Sequence, residues 1–583
     1  MQITFKTCQT LSLITILYVI LIIKTLKCNN EEDYTESLVV KPLPDGHLYA
    51  FFEFKTIWHK DLHSINWANR FNIFPLSLGK LISRHEVQEL HFSLTKGIWK
   101  HQRWGYAIRE APPNAQLWLW FQHFHKNPQK AWRDITSELS GQFCASINFI
   151  DNSATIQPKY SLRPEGVIDG DSLRNGSLFY GALPHESVCT ENLTPWKKWL
   201  PCFSAKGLAT LLNAGHLFNS YYFSLAVDFK PICRNIKCES TSVELIQSIS
   251  VVFNPPVMFE GKQSWSLVKL FGAPLTSTCS LSSKSTIYID ITDSHKKNNS
   301  KLSPEPTKLV YSVIGGAERK YAAYDVNQLL AQNKKTLNIG QYFQNTFDYT
   351  KVKPPPLFAN RFIKGYGLSD GGITCHIFNN FDKPIEIVYF DVIPWYLRMY
   401  LHTLSIVSNG KSLKPHTIYY NPSKDRIQSH HLEILLVLPP NSMTDISFQF
   451  ERVFLKWTEY PPDANHGVYV NSAIISAKLN SDRNFTYLPI RETISSENVH
   501  FIRIYTQTLL VSLPTPDFSM PYNVICLVST VVSLAFGPIH NLTTRRTRIV
   551  NNSSQSKKSK SLINKIKSLF KKKDKTETSD TNQ

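Results

Sequence analysis

The chain has 583 residues, 42% of them hydrophobic and 19% charged, enough apolar material for two or three separately cored domains and too much for a small stapled scaffold. Aromatics at 12% exclude a largely disordered chain. The net charge of +19 suggests a nucleic-acid binder until it is located: residues 541–583 carry +9 and the first 28 carry +3, leaving only +7 for the long remainder. No zinc-finger, RRM or P-loop pattern accompanies that weak excess, so nucleic acid is excluded as the partner.

In chain order, Lys6 precedes an apolar run from Leu11 to Ile23. The run is too short for ~30 Å of hydrocarbon but suits a secretory signal, placed at 1–28 with cleavage near Cys28; a retained signal anchor is the rival reading. Strand signals then dominate. Leu48–Thr56, Leu90–Thr95, Gln116–Phe121 and Ala145–Ile150 are aromatic or β-branched and partly alternate apolar with polar. Trp132–Leu139 and Ala205–Leu217 are the better helix candidates. The polar, proline-bearing stretch Ser294 to Lys308 reads as a surface loop or domain boundary. Beyond it, Ile385–Ile393, Leu432–Leu438 and Ile446–Phe454 form a second set of strands, and prolines such as those in Lys353–Pro356 oppose long helices.

Residues 521–539 read PYNVICLVSTVVSLAFGPI and contain no charged side chain. At ~1.5 Å per residue they match the bilayer core, so a transmembrane helix is placed at 520–540. Arg545, Arg546, Arg548 and the lysines up to Lys575 follow it, which puts the tail, 541–583, in the cytosol and the bulk in the lumen. Leu562, Ile563, Ile566, Leu569 and Phe570 recur among the lysines at helical spacing, compatible with an amphipathic helix on anionic lipid or with a solvated tail. The expected fold is mainly β: sandwich-like lumenal domains at 29–293 and 309–519 with a few helices, joined by 294–308, plus one C-terminal transmembrane helix.

Of ten cysteines, Cys8 and Cys28 leave with the signal and Cys526 lies in the span. The seven others, Cys144, Cys189, Cys202, Cys233, Cys238, Cys279 and Cys375, cannot pair completely within one chain. At least one is free, as a buried reduced thiol, or bonded to another protein. Cys233 and Cys238 suit a local disulfide loop. N-x-S/T sequons at Asn175, Asn192, Asn298 and Asn484 are expected N-glycosylation sites on the surface; those at Asn541, Asn551 and Asn552 fall on the cytosolic side.

No G-x-S-x-G or H-E-x-x-H motif is present, and no metal or cofactor is expected. Cys375 and His376 are adjacent, so in a strand they point to opposite faces and make a poor nucleophile–base pair. His101, His123 and His125 sit among aromatics without a further ligand at metal spacing. The phrases WKHQRWGY (Trp99 to Tyr106), QLWLWF (Gln116 to Phe121) and VIPWYLRMY (Val392 to Tyr400) suit interface anchors, and equally a β-sandwich core. In the span, Tyr522, Asn523, Ser529, Thr530 and Ser533 are mildly polar and suit contact with neighbouring subunits or a lipid headgroup, although Tyr522 and Asn523 also suit the water interface.

Glu89–Tyr106 (ELHFSLTKGIWKHQRWGY), Phe143–Asp151 (FCASINFID), Val188–Cys202 (VCTENLTPWKKWLPC), Val392–Leu404 (VIPWYLRMYLHTL), Lys456–Val470 (KWTEYPPDANHGVYV) and Leu513–Leu527 (LPTPDFSMPYNVICL) together resemble the PIG-T family, type I subunits of the glycosylphosphatidylinositol (GPI) transamidase. The resemblance runs in family order from residue 89 into the span. It implies a multi-subunit complex of the endoplasmic reticulum membrane, whose substrates are the GPI lipid and the C-terminal signal of a precursor protein. Chemistry in that complex is assigned to a separate caspase-like subunit, and this chain is then its non-catalytic scaffold, with no catalytic residues of its own. The family's interchain disulfide cysteine, in the VCTENLTPW phrase, corresponds to Cys189, and the sequon at Asn192 implies that the phrase is exposed. The match is weak over Lys301–Leu357, and the basic tail departs from the family. A thiol hydrolase or transferase in its own right, with Cys375 and His376 as the least poor candidates, and a type I surface receptor are the alternatives.

Overall fold

The computed structural model describes residues 32–546 and residue 564, apart from 61–71, 123–124, 168–177, 203–205, 236–237, 293–299, 315–316, 332–335, 344–353, 366, 368, 462, 480–499 and 518. The expected signal, most of the tail, and the sequons at Asn175, Asn298 and Asn484 lie outside the described residues.

The first half is built on strands β1 (Glu32–Pro42), β2 (Leu48–Trp58), β3 (Val87–Lys96), β4 (Asn114–Phe121), β5 (Thr155–Ile156), β6 (Leu178–Leu183), β7 (Tyr222–Cys233), β8 (Thr241–Phe253), β9 (Trp265–Ser266), β10 (Lys284–Asp290), β11 (Ser300–Ser303), β12 (Lys308–Ile314), β13 (Ala317–Asp325) and β14 (Gly340–Phe343). Eleven of them form one sheet in the order β12-β13-β10-β1-β2-β8-β7-β3-β4-β6-β5, while β11, β14 and β9 form a small second sheet. Pairing in the large sheet is antiparallel except for β1 with β10.

The large sheet is covered on one face by helices. Phe52, Phe54, Leu90, Phe92, Leu117, Leu119, Leu225 and Val227 alternate along their strands and share a core with Leu78, Leu81 and Ile82 of helix α1 (Leu76–Arg84). Trp132, Ile135, Leu139 and Phe143 of α2 (Pro128–Phe143) and Leu193 and Trp196 of α3 (Thr190–Lys198) complete it. Asn127 caps α2 by accepting from the Lys130 N–H, and Pro128 occupies the first turn, where its missing N–H costs nothing.

The second half is a sandwich of two five-stranded sheets. Strands β15 (Leu357–Lys364), β16 (Asp370–Asn379), β17 (Ile385–Ile393), β18 (Leu397–Ser408), β19 (Lys411–Ser412), β20 (Thr417–Asn421), β21 (His430–Leu438), β22 (Ser442–Arg452), β23 (Val468–Val470), β24 (Ile474–Leu479), β25 (His500–Tyr505) and β26 (Leu509–Val511) contribute. The sheets run β15-β16-β22-β18-β19 and β20-β21-β17-β24-β25, with β23 and β26 as a separate pair. Ile373, Cys375, Ile446 and Phe448 of one sheet meet Ile387, Tyr389, Ile434 and Leu436 of the other in a shared apolar core.

The sandwich docks on the large sheet's outer face. Trp118, Trp120, Tyr180 and Ala182 pack against Phe390, Val392, Ile474 and Tyr505. Tyr505 Oη donates to Gln116 Oε1 at 3.1 Å, and Glu433 accepts the backbone N–H groups of Lys159, Tyr160 and Ser161.

Three local expectations come out differently. Ala145–Ile150 is a 3-10 turn over Ser146–Phe149, because Cys144 ends α2 in the left-handed conformation (φ 52°) and Ser140 Oγ holds the Ala145 carbonyl. Within Ala205–Leu217 the chain breaks into a 3-10 turn, Gly207–Leu211, and a short helix beginning at Ala214: Glu36 accepts the Leu208 N–H, and Asn213 caps the new turn. The stretch 294–308 lies between strands of the first half, since β12 and β13 pair into the large sheet; the changeover to the sandwich falls between Phe343 and Leu357.

The C-terminal helix α4 (Ser519–Thr544) belongs to a separate unit that begins after Thr515. It has 26 residues, a mean hydropathy of 1.7 over its most apolar window, and no buried residue.

Candidate functional site

The seven cysteines outside the N-terminal run and the helix sort by geometry. Cys202 bonds Cys279 and Cys233 bonds Cys238, the second as the local loop expected from spacing. Cys375 is buried in the sandwich core, and burial pushes its thiol up to about 12. Cys144 and Cys189 remain, both reduced and both exposed.

These two thiols belong to one structural joint. Cys189 is the N-cap residue of α3, and its N–H donates to the side-chain oxygen of Asn192 at 2.7 Å. The same Asn192 amide donates to the carbonyls of Phe143, 2.8 Å, and Cys144, 3.3 Å, at the end of α2. One buried side chain thus satisfies an orphan donor at the start of one helix and orphan acceptors at the end of another. Trp199 stacks edge-on against Phe143, and the Trp196 indole donates to the Ala226 carbonyl in β7, fixing α3 to the sheet. Cys189 is therefore presented at the surface from a rigid base.

The expected exposure of Asn192 is corrected by this geometry. Its side chain is fully buried and both amide atoms are in use, leaving no room for a glycan on its nitrogen. A sequon records the local acceptor pattern, not whether the fold later consumes the amide.

The aromatic phrases are mostly core. Trp99, Trp104 and Tyr106 are buried, and Trp118 and Trp120 lie between the two halves. Cys375 and His376 do lie on opposite faces of β16; the His376 ring pairs with Asp445 and packs on Phe362. His101 pairs with Glu110, and His125 packs on Phe121, while His123 lies outside the described residues. No group of three or more potential metal ligands occurs among the described residues.

Sequence reasoning missed a buried ionic network between the halves. His91 sits between Glu89 and Asp228, each at 2.7 Å, with its ring stacked on Trp118. Burial opposes its protonation, but Glu165, Asp228 and Glu89 outweigh it and raise His91 to about 9. Arg109 forks onto Asp228, and Arg503 reaches from β25 to Glu165 while covering the Trp118 ring. The outline resembles an acid–His relay, yet an enclosed imidazolium that stays protonated is a structural cation.

The sequence matches the family described as "Gpi16 subunit, GPI transamidase component" over residues 17–260 and 254–571. The chain belongs to that family. It is 44% identical over 521 residues to the GPI-anchor transamidase component PIGT of Mus musculus, covering 88% of this chain and 89% of the relative. The human protein of the same name is 43% identical over 521 residues, covering 88% and 90%. The Gpi16 family reaches fungi: GPI transamidase component GPI16 of Saccharomyces cerevisiae is 30% identical over 555 residues, covering 88% of each chain.

As a Gpi16-family member with one apolar C-terminal helix long enough to span, the chain is a membrane protein. At 100° per residue, Tyr522, Asn523, Cys526, Ser529, Thr530, Ser533 and Gly537 fall within about 120° of the circumference of α4, and Val524, Val528, Val531 and Val532 fall opposite. The Thr530 hydroxyl already donates to the Cys526 carbonyl. The expected polar residues thus share one face, with small residues at Ser529, Ser533 and Gly537 spaced for close helix packing.

Proposed function

We propose that this chain is the non-catalytic assembly subunit of the GPI transamidase, disulfide-linked through Cys189 to the caspase-like catalytic subunit. The observation that supports this reading is the sorting of thiols: two bridges and one inert buried cysteine leave Cys144 and Cys189 exposed, and of these Cys189, at a pinned helix cap, stands in the phrase that resembles the family's. A bridge from such a base holds the catalytic partner at high effective concentration over an existing interface. The charge flanking α4 supports a lumenal bulk and a basic cytosolic tail, and membership of the family supports the endoplasmic reticulum as the membrane. The polar face of α4, with Tyr522, Asn523, Ser529 and Thr530, meets neighbouring subunits or the GPI headgroup; Asn175, Asn298 and Asn484 carry the glycans.

Cys189→Ser should remove a reducible higher-mass species from non-reducing gels and lower anchor attachment without abolishing it. Cys144→Ser should leave that species in place. Loss with Cys144→Ser and persistence with Cys189→Ser would assign the bridge to the wrong thiol. The hydrolase reading at Cys375 gains nothing from a thiol enclosed in the sandwich core.

A further inference from the structure

A second feature concerns the end of the sandwich from which the chain leaves for α4. After β22 the segment Val453–Tyr460 turns sharply and presents two large apolar side chains to solvent: Phe454 is 74% exposed and Trp457 is 57% exposed. Scattered exposed hydrophobics are ordinary, but these two are held outward by a pinned turn. Leu455 and Tyr460 point inward and pack against the sandwich core. Glu459 accepts the Lys456 N–H at 2.9 Å and is gripped by the Arg426 guanidinium, which itself covers the Trp395 ring at 4.9 Å. Val453 N–H donates to the Tyr396 carbonyl at 3.1 Å.

The segment is also tied to the exit strand. The Tyr460 hydroxyl donates to the Pro514 carbonyl, only five residues before Ser519 opens α4. Five extended residues reach at most about 18 Å, and Trp457 is three residues, at most about 11 Å, from Tyr460. Leu510, 43% exposed on β26, is a third outward apolar side chain, four residues before Pro514. Twenty-six helical residues measure about 39 Å against ~30 Å of hydrocarbon, so the helix ends enter the headgroup layers. Aromatic rings with a neighbouring lysine are what that layer favours, the ring at the acyl boundary and the ammonium in water.

We infer that the Phe454–Trp457 turn, with Lys456 and Leu510, is a lipid-contacting foot that rests in the headgroup region of the leaflet where α4 enters. Its occupant is lipid, because the chain leads from this patch into the membrane within the reach given above, and the local charges of Lys456, Arg426 and Glu459 leave no strong field to select a charged protein partner.

The test uses the full chain in native membranes with Trp457→p-benzoylphenylalanine, irradiated and analysed by mass spectrometry. A lipid adduct on the 453–460 peptide supports the foot, and adding Phe454→Ser and Leu510→Ser should then diminish that adduct while α4 stays inserted. An adduct to another protein chain, or no adduct while the same probe at Val531 labels lipid, overturns it.

Discussion

At the scale of single residues, the thiols and the buried ions carry the testable content. Maleimide at mildly alkaline pH should label Cys144 in the native chain within minutes and leave Cys375 unmodified until denaturant is added, because burial both shields that thiol and pushes it up to about 12. Fast native labelling of Cys375, read by peptide mass, would contradict the packing of β16. His91 gives a pH signature. Its value is raised in the fold, so its stabilisation is complete below the ordinary imidazole range near 6.5 and is lost as pH rises through about 9. The thermal midpoint should fall across that window, by on the order of 3 kcal/mol in stability, and His91→Gln should flatten the fall. Glu433→Ala strips three backbone N–H groups of their acceptor and should cost on the order of 3 kcal/mol, measured by denaturant unfolding. Little of this is legible in the sequence. Parity counts seven thiols but cannot choose among them, since Cys202 and Cys279 lie 77 residues apart and no spacing rule joins them. Cys189 comes from the family phrase alone, and the exposure expected at Asn192 fails because burial is a tertiary fact.

At the scale of elements, alternation reads well wherever a strand has one apolar face. Leu48–Thr56, Leu90–Thr95 and Ile385–Ile393 all sit inside strands whose inward residues are the expected apolar ones. It fails at Ala145–Ile150, where β-branched and aromatic residues follow a left-handed helix cap and find no strand to pair with. The eleven-stranded sheet is invisible for a different reason: its order, with β10 beside β1 and β13 beyond, joins segments far apart in sequence. For α4, the small polar face makes a specific demand. Gly537→Leu with Ser533→Leu should leave insertion intact, since both replacements are more apolar, but reduce co-purification of the other subunits several-fold in mild detergent. Unchanged recovery would mean that this face looks into lipid.

At the scale of the whole body, the two halves are bound through the Trp118–Phe390–Tyr505 cluster and the Arg503–Glu165 pair, so they should unfold together. Arg503→Ala removes the ion pair that joins β25 to Glu165, which keeps Lys230 of its own half as a partner, and should broaden the calorimetric transition. A boundary at 294–308 looks natural in the sequence because the stretch is polar and proline-bearing, while the strands β10 before it and β12 at its end share one sheet. One compact body of this kind suits the proposed scaffold role, with the proposed link at the α3 cap. The most direct measurement is mass spectrometry of disulfide-linked peptides from membranes solubilised under mild, thiol-blocking conditions. The account predicts Cys202–Cys279 and Cys233–Cys238 within the chain and a peptide bearing Cys189 joined to a different polypeptide. Cys189 recovered as a blocked free thiol, or joined to Cys144 of its own chain, would contradict it.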